Sequence, residues 1–100
     1  MMTGPLCKAA RALVQVSRAK LATRADVPKD HLESFERGLH TPDPAALAKL
    51  QATLEELGAV FIPEEGANGV GVRLKFSQSV TDRLRILVDE GGPSSTDVVP

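Results

Sequence analysis

Four polar side chains crowd into six residues of this chain: Lys29, Asp30, Glu33 and Ser34. They share a segment with two apolar anchors, Leu32 and Phe35. A lysine, two carboxylates and a hydroxyl on one helix face offer donors and acceptors to a partner outside the protein. The residue types that would support catalysis are scattered. Ser17 and Ser34 have no His and Asp arranged around them, so no activated nucleophile is read. His31 and His40 lack acid or cysteine companions at metal-ligand spacing, so no metal site is read. Cys7, the single cysteine, excludes an intramolecular disulfide and reads as a small helix residue. The loop Gly66-Ala67-Asn68-Gly69-Val70-Gly71 has neither a following Lys-Ser/Thr nor a helix behind it, so it is a turn rather than a phosphate cradle. The chain is therefore not expected to be an enzyme, and no cofactor is expected.

The polar face needs elements to hold it. Between Ser17 and Gly38 the chain reads as two short helices joined by a sharp turn. Leu21, Ala22 and Ala25 give the first an apolar stripe, and Ser17 is a good N-cap for it. Asp26 tolerates the left-handed backbone that a sharp helix stop requires. Pro28 disfavours a helical Val27 but suits the first turn of the next helix. That helix is predicted over 28–37, ending at Gly38. A helix pair of this kind is a helix-turn-helix, whose second helix enters the major groove of DNA.

Further helices frame the pair. The first is predicted from Gly4 or Pro5 to Val14, burying Leu6, Ala10 and Leu13, with Ala9 and Val14 flanking. Asp43 should cap a fourth helix with Pro44 at its first position. Its seam is Leu47, Leu50, Leu54 and Leu57, and Gly58 ends it. The period then changes. Ala59–Ile62 is a short strand, 63–69 a loop, and Val70, Val72, Leu74 and Phe76 alternate with Gly71, Arg73 and Lys75 as a second strand. An isolated hairpin is marginal in water, so a helix or a second subunit must cover it. A last helix starts at Ser79 or Thr81, with Val80, Leu84, Leu87 and Val88 on one stripe. The fold class is thus mainly α. Residues 1–58 form a helical unit, 59–90 a hairpin plus helix, and 91–100 a small, polar, disordered tail.

The chain holds 100 residues with 42% hydrophobic and 25% charged, ordinary for one modest domain, and its three aromatics are all Phe. Its core must come from Leu, Val and Ala. A single cysteine suits a reducing compartment, so a cytoplasmic location is expected; no apolar run approaches a membrane span and no signal-peptide core is seen. Net charge is −1, which alone argues against a nucleic-acid partner. Its distribution argues otherwise: residues 1–25 carry +5 without one acid, 26–40 carry −2, 41–66 carry −4, and 67–100 balance. Those basic residues are either a solvated face or half of a binding surface.

Taken together, Arg11…Ser17-x-x-x-Leu21-Ala22…Val27…Leu32…Phe35-Glu36-Arg37-Gly38…Pro42…Leu47…Leu50…Leu54 resembles the phage-repressor-like, or Xre-type, helix-turn-helix regulators of bacteria. The resemblance spans about residues 5–58. The hairpin with Gly69-Val70-Gly71-Val72-Arg73-Leu74 resembles, more weakly, an extension of small bacterial regulators of this type. The resemblance implies roles. Ser17 and Arg18 match positions that meet the DNA backbone, as a helix N-terminus can. Lys29, Asp30 and Ser34 match outward positions that meet base edges, Lys donating to guanine and Asp accepting from cytosine. Arg11 and Glu36 match a bracing ion pair. Apart from the resemblance, the place of Arg37 and Thr41 around the connector leads to the expectation that they reach the DNA backbone. Three departures stand out: Asp26 replaces the usual turn glycine, Pro28 replaces a capping Ser or Thr, and the second helix is acidic.

The resulting expectation is a sequence-specific, double-stranded DNA-binding transcriptional regulator, acting as a homodimer. Val72, Leu74, Phe76, Val80, Leu84 and Leu87 are expected at the two-fold interface. A regulatory protein is a second class of partner. The alternative is a protein-binding adaptor, an antitoxin or anti-activator, that keeps the scaffold and uses the hairpin or tail on another protein.

Overall fold

A computed structural model describes residues 2–77 and Arg83 of the chain. Among the described residues four helices run in order, α1 Gly4–Val14, α2 Arg18–Ala25, α3 Lys29–Glu36 and α4 Pro44–Glu56. Two strands follow, β1 Ala59–Ile62 and β2 Gly71–Leu74. The protein is small and mainly helical, with one antiparallel two-stranded hairpin.

Local chemistry sets most boundaries. Thr3, Ser17 and Asp43 each turn a side-chain oxygen to a free amide of the helix they precede, at 3.3, 3.0 and 2.8 Å. Pro28 offers α3 no such bond, so this helix starts on backbone geometry alone. Three helices stop in the same way. Gln15, Asp26 and Gly38 adopt positive φ of 59°, 57° and 78°. The amide beyond each reaches back five residues: Val16 to Arg11, Val27 to Ala22, and Leu39 to Ser34. The Asp26 expectation holds; the stop at Gln15 carries no glycine to announce it.

The core is one cluster. Cys7, Ala10 and Val14 of α1 meet Leu21, Ala22 and Ala25 of α2, Leu32 and Phe35 of α3, and Leu47, Leu50 and Leu54 of α4. The stripe expected on α1 is therefore rotated. Gly4, Cys7, Ala10 and Val14 face inward, Leu6 and Leu13 are half-buried, and Ala9 is exposed. The reason is close packing at the helix start. A Cβ on Gly4 would collide with the Phe35 carbonyl oxygen and lie 3.2 Å from the Glu36 Cα. Small residues let α1 seat against the end of α3, and the bulkier leucines fall to its flanks.

The hairpin shares this core. Ala59 is buried, and Phe61, Val72 and Leu74 pack against the helices. Its pairing sets Ala59 opposite Leu74 and Ile62 opposite Gly71. The second strand is shorter than the expected run from Val70 to Phe76. In this register Val70 would fall opposite Pro63, which has no amide to give. At the other end Gly58, at φ 113°, turns the partner chain away after one last bond from the Lys75 amide at 2.7 Å. A second tight turn closes the loop, where Glu65 and Asn68 exchange both amide bonds around Gly66. The helix expected after Ser79, with Val80, Leu84 and Leu87, lies outside the described residues, as does the tail; only Arg83 there is described, as helical and exposed. Among the described residues no helix is long and apolar enough to cross a membrane.

Candidate functional site

The α2–α3 pair places its polar residues in two sets. One set is turned inward. Glu36, at the end of α3, is 1% exposed at its side chain. Its carboxylate accepts from Arg11 of α1 twice, from Nε at 2.7 Å and Nη2 at 2.8 Å. Arg18 of α2 donates its Nε at 3.2 Å, and the Cys7 thiol donates at 3.4 Å. Arg11 also donates Nη1 to the Val16 carbonyl at 3.2 Å. One carboxylate thus ties three helices, with a fork-to-fork geometry that is the strong form of this contact.

The titration of the cluster follows from that geometry. Burial by itself would raise the Glu36 carboxyl, but the Arg11 hydrogen bond and charge, helped by Cys7 and Arg18, hold it below the usual carboxylate value. Hydrogen bonding to Glu36 raises Arg11 further against its own desolvation. Burial, then the adjacent Glu36 charge and hydrogen bond, push the Cys7 thiol up to about 12. A buried thiol held protonated is a donor here and not a nucleophile.

The Arg11–Glu36 pair is as expected. Two members of the cluster were not. Arg18, expected at the DNA backbone, spends its Nε on Glu36 and is 30% exposed at its side chain. Cys7, read as a small filler, is a hydrogen-bond partner of Glu36, the only charged residue that is buried among the described residues. The acid–basic–thiol signal was in the sequence, but separations of 18 to 29 residues hide it without the fold.

The other set faces outward. Lys29 and Asp30 are exposed on the first turn of α3, and Ser34 is half-buried. Leu32, Phe35 and Glu36 are the buried side of this helix. Asp30 and Ser34 sit on the opposite side. Arg37, still in a helical backbone at φ −88° and ψ −1°, extends that row at spacings of four and three. Arg37, the residue just past α3, therefore continues its outward row and brings a cation to it. Leu39, just beyond, is 68% exposed. Ser17 caps α2 with a lone pair of its hydroxyl, which keeps the O–H available to donate.

Thr41 lies elsewhere, with His31 and His40, in a shallow cleft of about 580 Å³ between the α2–α3 turn and the start of α4. The two imidazoles are 5.4 Å apart and tilted by 52°. Among the described residues no group of three or more His, Cys, Asp or Glu side chains is placed to hold a metal ion. Of the six side chains expected at a two-fold interface, Val72 and Leu74 turn toward the chain's own core, because their register partners Phe61 and Ala59 face the helices. Phe76 is exposed, and Val80, Leu84 and Leu87 lie outside the described residues.

Compared with models of known protein families and with curated proteins, the sequence matches none.

Proposed function

We propose that this protein is a sequence-specific double-stranded DNA-binding regulator of the phage-repressor-like, Xre-type, helix-turn-helix class, and that it acts as a homodimer. The observation that carries the reading is the α2–α3 pair. A sharp left-handed turn at Asp26 joins two eight-residue helices, and the second turns Asp30, Ser34 and Arg37 away from the core beside an exposed Lys29. In this reading α3 lies in the major groove. Lys29 donates to guanine O6 and N7, Asp30 accepts from cytosine N4, and Ser34 contacts either base type. Ser17 and the amides of the α2 N-terminus meet a phosphate. Arg37 follows the groove edge to the backbone, while Thr41 stands apart in the cleft beside His31 and His40. Arg18 serves first as a brace and only secondarily as a phosphate contact.

The acidic character of α3 argues for two copies. A short helix with Asp30 and Glu33 against Lys29 attracts DNA weakly, and two half-sites about one helical turn apart multiply that affinity. Exposed Ile62, Val70 and Phe76 put apolar surface on the hairpin, the part this reading assigns to pairing. The test is binding of the full chain to duplex DNA from upstream of its own gene and to shuffled duplex, between 50 and 300 mM salt. Preference for the first duplex, with affinity falling steeply as salt rises, is the expected result. Equal binding to both at every salt overturns the reading.

One observation favours a second reading. Residues 26–40 carry −2 and the whole chain −1, a poor electrostatic match to phosphate. On that reading the protein is an adaptor, antitoxin-like or anti-activator-like, that binds another protein. It predicts a stable protein complex and no DNA preference.

A further inference from the structure

Two glycines of the hairpin are not explained by their own chain. Gly71 opens β2 and Gly69 precedes it. Neither has the positive φ that calls for glycine, which among the described residues Gly38, Gly58 and Gly66 have. Neither is short of space. Among the described residues a Cβ at Gly69 would meet nothing within 4 Å, and one at Gly71 only the Ile62 Cδ1 at 3.8 Å. Glycine weakens a strand, and there it often marks a place where another backbone comes close.

The same strand has an open edge. Successive residues of an antiparallel strand turn their amides alternately to one neighbour and away from it. The Lys75 amide donates to the Gly58 carbonyl, and these two residues continue the register of β1 and β2. Arg73 and Gly71 therefore turn their amides to β1 as well, and Val72 and Leu74 turn theirs the other way. No backbone carbonyl among the described residues answers those two amides. The Leu74 carbonyl on this side accepts from Arg73 Nη1 at 3.0 Å and keeps a second lone pair. Such an edge is a template for another strand.

The residues around Val72 are complementary to themselves. In two copies set antiparallel about Val72, Gly71 faces Arg73, Val70 faces Leu74 and Gly69 faces Lys75. Each cation then lies opposite a glycine with open space above it. Val70, 47% exposed, gains cover from Leu74. The neighbouring registers are worse. Centring on Arg73 sets it against its own copy, and centring on Leu74 sets Arg73 against Lys75, with like charges directly opposite. Centring on Gly71 sets Leu74 against Asn68, which is held in the tight turn with Glu65.

We propose that the free edge of β2 pairs with β2 of a second copy of this chain, antiparallel and centred on Val72, making one sheet in the order β1-β2-β2-β1. Val72 exchanges both amide bonds with the partner's Val72, and Leu74 pairs with the partner's Val70. The backbones of Val72 and Leu74 make the interface, while their side chains stay in their own core. The proposal rests on the homodimer part of the regulator reading, whose interface it names, and does not involve DNA.

The experiment is amide exchange, read by NMR on the unaltered full chain, at concentrations above and below the dissociation of the dimer measured by sedimentation. The Val72 and Leu74 amides should exchange about tenfold more slowly above it than below, while the Arg73 amide, turned to β1, stays protected at both. A dimer in which Val72 and Leu74 exchange fast at both concentrations uses another surface; it overturns the proposal and leaves the homodimer standing. Equal protection at both means that the edge is held within one chain, and overturns the proposal too. A chain that stays monomeric removes this interface and the homodimer together, while DNA preference is judged by its own duplex assay. Two variants give a second readout. Val72→Pro removes an amide that β1 does not use, and Val72→Ala trims the same packing but keeps the amide. The first should raise the dimer dissociation constant about tenfold or more, and the second should leave it nearly unchanged. Equal effects of the two contradict edge pairing.

Discussion

Glu36 is the residue on which the helical part turns. Its carboxylate is buried and answers Arg11, Arg18 and Cys7 together. Replacing such a pair by well-packed apolar groups is often neutral, whereas removing one partner strands the other charges. Glu36→Gln is therefore expected to cost about 3 kcal/mol in denaturant unfolding. Its pH signature has a definite sign. The folded carboxyl holds its proton less tightly than the unfolded one, so between the two values the unfolded state binds more protons. The stability from Glu36 is present above the ordinary carboxylate value and is lost as pH falls through the lower folded value. Wild type should lose stability below about pH 5, and the acid limb should flatten in Glu36→Gln. An unchanged acid limb would remove Glu36 from that role. Cys7 gives a second check. Its thiol is held protonated to about 12, so iodoacetamide at pH 8.5, near an ordinary thiol's pKa, should label the urea-unfolded chain readily and the native chain hardly at all. Fast labelling of the native chain would contradict a closed cluster.

Elements are held by contacts of two ranges, and these differ in how visible they are in a sequence. Gly4 shows the long range. Its missing side chain lets the start of α1 lie against the Phe35 carbonyl and the Glu36 backbone. Gly4→Ala should destabilise by about 1–3 kcal/mol, the usual cost of overpacking, although alanine is the better helix former by propensity. A stabilised variant would show that α1 can shift freely. Ser17→Ala, at the cap of α2, should cost about 1 kcal/mol. The short-range features were legible: the caps at Ser17 and Asp43, the stop at Asp26 and the leucine seam of α4 depend on neighbours within a few residues, and the hairpin pairs residues 9 to 15 apart. What was hidden lies across the fold. The inward turn of Cys7 and the second arginine on Glu36 depend on residues 18 to 29 positions apart. The rotated stripe of α1 follows from Gly4, and the shortened β2 from Pro63 opposite Val70, which periodicity in one strand cannot reveal. Of the outward row, Lys29, Asp30 and Ser34 were readable from helix spacing. Arg37 was readable as the last residue of the helix predicted over 28–37, and just past α3 its backbone keeps the helical direction.

At the scale of the molecule, charge and shape pull in opposite directions. The first 25 residues carry +5 and the chain as a whole −1. DNA affinity on the proposed reading is therefore weak for one copy and gained by pairing, so sedimentation of the full chain should show a dimer that dissociates on dilution. A strict monomer at all concentrations would remove the homodimer. Within the pair, Lys29→Ala should cost about 1–3 kcal/mol on the preferred duplex and relax choice at one base pair, while Arg37→Ala should weaken all duplexes alike. The central proposal is that α3 reads DNA sequence, and one measurement addresses it most directly. The full-length protein is used to select from a pool of random duplexes at near-physiological salt, beside its Lys29→Ala variant. The account predicts a two-fold symmetric motif with half-sites about 10 base pairs apart, and loss of preference at one position per half-site in the variant. A selected pool indistinguishable from the starting pool would contradict it.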